Sequence, residues 1–318
     1  IVYSDSTQGW LPVSDDAVAD VPFEPITQKA IFAYGGGAGA SKLSVSNLVN
    51  SSGVVATDVT GVGTARDVSA AATYGNDKAI FGFGTAASGV VSVTNLVTNA
   101  GVVGSDVTGV GTARRNTGAA EYGADKAIFA FGYNGSDAAV GMSNLVSSAG
   151  VVASDVSAVG TARAQLGACQ YGGTDKKAVF AYGTTGSLVS LKNLCSNTGV
   201  IASDVAGVGT ARDRLGAATY GGDKGVFAYG YTDASSSLKN LVSNVGVIAA
   251  DVTGVGTARR YVRATNYGAD KAIFAYGYST GYVNTRNLVN SSGVIASDAS
   301  GAGTARSGVG AAGYSLSA

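Results

Sequence analysis

Six arginines recur at nearly even intervals along this chain: Arg66, Arg114, Arg163, Arg212, Arg259 and Arg306. Each closes a Gly-Thr-Ala-Arg phrase, and an aspartate stands eight residues before each one: Asp58, Asp106, Asp155, Asp204, Asp251 and Asp298. A ring of guanidinium groups could bind an anion. Arginine and aspartate could equally tie neighbouring strands or loops through charge-assisted hydrogen bonds. A residue that appears once per repeating unit favours the structural role.

Other reactive chemistry is scarce. The chain has no histidine and two cysteines, which removes His/Cys zinc sites, Ser-His-Asp and Cys-His catalysis, and imidazole acid-base chemistry. Cys169 and Cys195 fall on the first and third strands of one unit. Two strand spacings of ~4.8 Å exceed the ~7 Å limit for a disulfide, so buried free thiols are expected. Gly35-Gly36-Gly37-Ala38-Gly39-Ala40 fits a permissive dinucleotide pattern, but a strand follows it where that site needs a helix. Gly172 to Lys177 lacks phosphate-loop spacing, and no calcium loop is present. The Asn-x-Ser triplets at Asn50, Asn134 and Asn290 read as turns. No catalytic residue, metal or cofactor is expected, and the chain reads as no enzyme.

Charge and composition narrow the partners. Lys+Arg and Asp+Glu are both 21, and a neutral chain is poorly suited to wrapping a nucleic acid. No apolar run approaches ~18 residues, so no membrane insertion by a helix is expected. An apolar fraction of 46% is not that of a disordered chain. Ile1 is not a start methionine, and the first residues lack signal-peptide features. A processed chain or a fragment is the expectation.

The elements that carry the arginines repeat with them. Their spacings are 48, 49, 49, 47 and 47 residues. A Lys-Ala-Ile-Phe-Ala-Tyr-Gly phrase or a near variant starts at Lys29, Lys78, Lys126, Lys177, Lys224 and Lys271, and an Asn-Leu-Val phrase (once Asn-Leu-Cys) at Asn47, Asn95, Asn144, Asn193, Asn240 and Asn287. Each unit reads as four short strands: a small-residue run, an aliphatic-aromatic run, the Asn-Leu-Val run, and a valine-rich run such as Val102 to Val107. A period near 48 with four strands matches a propeller blade better than a solenoid coil. The first unit lacks its small-residue strand, and Ser307 to Tyr314 supplies one with nothing after it. The expected fold is therefore all-β: a six-bladed β-propeller of four-stranded antiparallel blades over residues 26–318, closed by the C-terminal strand. Residues 1–25 read as an N-terminal connector.

These features resemble a kelch-type propeller: an Ala-Arg pair at each junction, a small inner strand, and an aromatic strand ending in glycine, doubled at Tyr34-Gly35-Gly36. The other five units carry one glycine there, and the outer-strand Trp of kelch repeats is absent. The regular Gly/Ala-rich repeats behind a short N-terminal segment also resemble modules of bacteriophage virion and tail-fibre proteins. The galactose-oxidase type of enzyme shares the fold, but its copper site needs histidines that this chain lacks.

Comparison of the six units points to one face. The links after each arginine and the second-to-third loops vary freely, and four-stranded connectivity puts both sets on the same side. Loops on a rigid scaffold are the usual place for binding. Arg260, Tyr261 and Arg263 in the link into the last unit and Tyr278, Tyr282 and Arg286 in that unit's own loop form the candidate ligand site. The expected role is a non-enzymatic virion or tail-fibre component that recognises a host-surface glycan or protein. Other virion proteins would hold its N-terminal segment, and a homo-oligomer would make binding multivalent. The alternative is a cytoplasmic kelch-type protein-protein interaction module.

Overall fold

The structure, a computed structural model, describes residues 2–5, 9–11 and 27–318. Most of the expected connector, residues 1–25, lies outside the described residues; within it, strand Val2–Asp5 pairs with Gly9–Leu11. From residue 27 onward the chain is all-β, made of small antiparallel sheets joined by turns, with single 3-10 turns at Ala38–Ala40 and Gly173–Asp175. No helix among the described residues is long and apolar enough to cross a membrane.

Six three-stranded sheets repeat the same order of inner, middle and outer strand. In the first sheet the two ends of residues 27–318 meet: inner strand Gly310–Tyr314 pairs with middle strand Lys29–Gly36, which pairs with outer strand Lys42–Val49. The second sheet holds Ala70–Tyr74, Lys78–Gly82 and Thr94–Val97, and the third Gly118–Tyr122, Lys126–Ala130 and Ser143–Val146. The fourth holds Gly167–Tyr171, Lys177–Ala181 and Lys192–Cys195. The fifth holds Gly216–Tyr220, Lys224–Tyr231 and Ser235–Val242, and the sixth Arg263–Tyr267, Lys271–Ala275 and Arg286–Val289. Each inner strand lies against the next, and Gly310–Tyr314 lies against both Arg263–Tyr267 and Ala70–Tyr74.

The expected fourth strand is not a continuous one. The valine-rich segment joins the outer strand through two bridges per unit, such as Val97↔Val103 and Thr94↔Val107. Two residues lie between the bridges on the outer strand and three on the valine-rich side, so the segment carries a bulge. The Asn95 side chain fills the irregular stretch, its Nδ2 donating to the Gly104 carbonyl at 3.0 Å. The same asparagine bond recurs at Asn47, Asn144, Asn193, Asn240 and Asn287.

Neighbouring sheets are held apart by one small residue and joined by one large one. A Cβ on Gly310, Gly118, Gly167 or Gly216 would come within 3.0 Å or less of a phenylalanine of the following sheet, which explains why inner strands begin small. At the same end, just after the middle-strand residues that pair with these positions, Tyr34, Phe83, Phe131, Tyr182, Tyr229 and Tyr276 adopt φ between 61° and 65° and turn their rings onto the next sheet. Free, buried Cys169 replaces an alanine, and Gly225 in the following sheet makes room: a Cβ there would sit 2.5 Å from its sulfur. Burial raises both thiol pKa values to about 12.

The repeat arginines cross these interfaces, all six fully buried. Arg212 lies 4.2 Å above the Tyr182 ring of the fourth sheet. Its Nε donates to the Tyr229 carbonyl at 3.1 Å and its Nη2 to Asn240 Oδ1 at 2.6 Å, both in the fifth. Its Nη1 donates to the Thr210 carbonyl at 3.2 Å. The aspartate partner differs from the one that the eight-residue spacing suggests. Asp251 approaches Arg212 at 3.9 Å and accepts from the Thr210 backbone and hydroxyl, whereas Asp204 pairs with Arg163. Each aspartate folds back onto the junction that enters its own unit, and Asp58 does so onto Arg306 across the chain ends. Burial lowers the arginine pKa, with the tyrosine and aspartate partners opposing it.

Replacing Arg212 by methionine strands Asn240 Oδ1 and two carbonyls. We expect a loss of ~3 kcal/mol, measured from urea unfolding midpoints. Arg212→Lys should lose nearly as much, since an ammonium cannot span the same acceptors. A loss below ~1 kcal/mol for Arg212→Met would mean that the arginine does not tie the sheets.

Candidate functional site

The two residues after each repeat arginine combine a fixed backbone with changing chemistry. The first, Asp67, Arg115, Ala164, Asp213, Arg260 or Ser307, pairs with Thr85, Tyr133, Thr184, Tyr231, Tyr278 or Gly36 at the exit of a middle strand. Links and second-to-third loops are thus side by side, at one end of the sheets. The second residue, Val68, Asn116, Gln165, Arg214, Tyr261 or Gly308, is left-handed, with φ between 46° and 61°. From Asn116 onward, each of these donates its N–H to the carbonyl of its counterpart one unit earlier, at 2.8 to 3.2 Å. A left-handed L-residue costs roughly 1–2 kcal/mol, so this hydrogen-bonded circuit holds five side chains in a strained setting.

Tyrosine and arginine alternate across this end of the molecule. The Arg214 guanidinium lies 5.2 Å from the Tyr261 ring and 5.0 Å from Tyr231. Arg260 lies 5.1 Å from Tyr231 and 5.0 Å from Tyr278, which meets Tyr282 edge-on at 5.3 Å. The belt therefore runs Tyr261, Arg214, Tyr231, Arg260, Tyr278, Tyr282, all half-buried. A second, smaller patch has Arg115 over Tyr133 at 5.2 Å, with Asp137 2.7 Å from the guanidinium. Cation-π stacking orients the rings and guanidinium groups.

Asp213 underlies the belt, buried, with Oδ1 3.6 Å from Arg214 Nε and no hydrogen-bond partner. Burial pushes its pKa up to about 6, against the pull of Arg214 and Arg260.

Of the six residues expected here from sequence, Arg260, Tyr278 and Tyr282 are in contact, and Tyr261 joins them through Arg214. Arg263 lies on an inner strand and lines the central cavity. Arg286 is held on its outer strand, donating to the Ser300 carbonyl at 2.9 Å. Sequence reasoning left Asp213, Arg214, Tyr231, Arg115 and Tyr133 outside the site. Their signal was register: Tyr133, Tyr231 and Tyr278 each follow the glycine that closes the repeated aromatic phrase. The dinucleotide-like glycines form the hairpin turn around Ala38–Ala40, and Asn50, Asn134 and Asn290 each accept two backbone N–H bonds within turns.

The opposite end of the sheets is more uniform. The inner-to-middle turns are linked by backbone bonds from Gly75 to Asp125, Gly123 to Lys176, Gly172 to Asp223, Gly221 to Asp270, Gly268 to Gln28, and Ser315 to Asp77. Thr27 is buried there, its hydroxyl accepting from Asn266 at 2.8 Å. Residue 27 thus enters the fold at the end away from the tyrosine-arginine belt. No protein-family model matches the chain, and no curated protein sequence matches it either.

Asp213 and the repeat aspartates have opposite effects on acid stability. The folded protein protonates Asp213 at about pH 6, but the unfolded chain only near 3.8. Between these values the folded state binds the extra proton, so this contribution to stability grows as pH falls. For the repeat aspartates burial raises the pKa, but threonine and asparagine hydrogen bonds outweigh it and lower the pKa below 3.8. Their contribution is full above 3.8 and disappears as pH drops through those depressed values. Asp213→Asn should stabilise the protein at pH 7 by an amount on the order of 2 kcal/mol. It should also remove the rise between pH 6 and 4 while leaving the acid loss. Melting temperatures against pH for both proteins test this, and parallel curves would refute it.

Proposed function

We propose that residues 26–318 form a six-bladed, kelch-like β-propeller that serves as a non-enzymatic binding module. The reading as a propeller is supported by the six equivalent sheets, the cyclic contacts of the inner strands, and the pairing of Gly310–Tyr314 with Lys29–Gly36. We place the module in a bacteriophage virion or tail fibre, where it recognises a host-surface glycan. The single observation that carries this reading is the belt from Tyr261 to Tyr282, at positions where the backbone is fixed and the chemistry changes. Flat rings with polar neighbours suit sugar faces, and guanidinium groups suit their hydroxyl and carboxylate oxygens.

The entry of residue 27 at the opposite end fits a connector, residues 1–25, bound to other virion proteins with the belt pointing away. Copies joined through that segment would bind a surface multivalently. A cytoplasmic kelch-type module that binds a protein is the second reading. Tyrosine and arginine favour it equally, because they dominate protein-protein hot spots.

Glycan-array binding tests the first reading. Tyr261→Ala and Tyr282→Ala should each reduce binding tenfold or more, an effect of ~1.4 kcal/mol, without lowering the melting temperature. Full binding by both variants would remove the belt from the site. Binding of a defined peptide with no glycan signal would favour the second reading, and turnover of any sugar would refute a non-enzymatic role.

A further inference from the structure

Arg263 is a cation in an unusual place. Its counterparts on the other five inner strands are Ala70, Gly118, Gly167, Gly216 and Gly310, so one unit alone puts a guanidinium here. It lines a cavity of about 40 Å³ bounded by residues of all six inner strands, among them Ala71, Ala119, Ala168 and Ala217. By the same measure a cavity needs ~10–15 Å³ to hold one water, so this one has room for a small ion and its water.

The guanidinium is poorly matched by its own protein. It makes one hydrogen bond, Nη1 to the Val262 carbonyl at 3.3 Å, and none of the ion pairs among the described residues involves it. Its enclosure among the inner strands brings the arginine pKa down to about 10. A second donor lines the same cavity: Thr117 is 3% exposed, and its hydroxyl has no partner. At the cavity's other end the charges cancel internally, Lys176 donating to Glu121 at 2.8 Å. Arg263 is half-buried at the mouth of this confined space, and a guanidinium there with a single hydrogen bond is open to pairing with an anion.

We propose that the end of the central cavity beside the Arg260–Arg263 link binds one monovalent anion of halide size, paired with the Arg263 guanidinium and accepting from the Thr117 hydroxyl. The anion neutralises the only inner-strand arginine and fills space that alanines and glycines leave open. The site does not depend on glycan recognition, and the tyrosine-arginine belt is not part of it.

Bromide is the probe. In crystals of the whole chain grown with sodium bromide, an anomalous peak within hydrogen-bond distance of Arg263 is expected. In solution, bromide at about ten times its dissociation constant should raise the melting temperature by ~2 °C, saturably. Arg263→Gly, which installs the residue of four sister units, should lose that rise, while any general salt effect persists in both proteins. Arg263→Met serves the same purpose should the glycine variant not fold. Absence of the anomalous peak, or an equal bromide response in wild type and variant, would overturn the proposal.

Discussion

Everything in this molecule depends on an arginine that is buried between two sheets and satisfied by both. Its flat face rests on an aromatic ring of one sheet, and its edge donates to an asparagine and a carbonyl of the next. A hydrocarbon contact would hold sheets together without fixing their register. Directed donors also fix the angle, because a guanidinium has its N–H groups in one plane. Repeating one such joint makes each interface a near copy of the last, as the sharing of one sheet by Lys29–Gly36 and Gly310–Tyr314 requires.

The joint is not uniform, and its variations are informative. Phe83 and Phe131 replace tyrosines, and the Arg66 and Arg114 Nε atoms lack partners, whereas Arg212, Arg259 and Arg306 bond a carbonyl there. Arg163 donates to the Phe180 carbonyl and leaves Asn193 Oδ1 unpaired. The interfaces on either side of the third sheet are therefore less completely hydrogen-bonded than those around the fifth and sixth. The belt of tyrosine and arginine sits on the better-joined half.

Much of the fold was legible because the signals were local or periodic. The inner and middle strands could be located from runs such as Ala70–Tyr74 and Lys78–Gly82, and the missing inner strand of the first unit from the surplus one at the end. The valine-rich segment misled because its β-propensity is high, whereas its register is broken by the side chain of Asn95, whose reach no propensity encodes. The aspartate partners misled for a related reason: nearness in sequence suggested one arginine, while chain reversal across the sheet delivered another. Arg263 read as a member of a variable link, yet it belongs to an inner strand and lies beside the cavity rather than in the belt. Gly225 carried no signal of its own, since its match to Cys169 exists only once the two sheets are adjacent.

The meeting of Lys29–Gly36 with Gly310–Tyr314 also gives the molecule a mechanical polarity. Residues 28 and 315 lie at the same end of that pair, joined by a bond from the Gln28 N–H to the Ser315 carbonyl. Tension between residues 28 and 315 would therefore peel the ladder open one bond at a time. Tension between residue 27 and an object gripped at the far end of the sheets runs along the strands instead, and the antiparallel bonds across them share the load in shear. The fold is weak when residues 28 and 315 are pulled apart and strong when it hangs from one end by a tether.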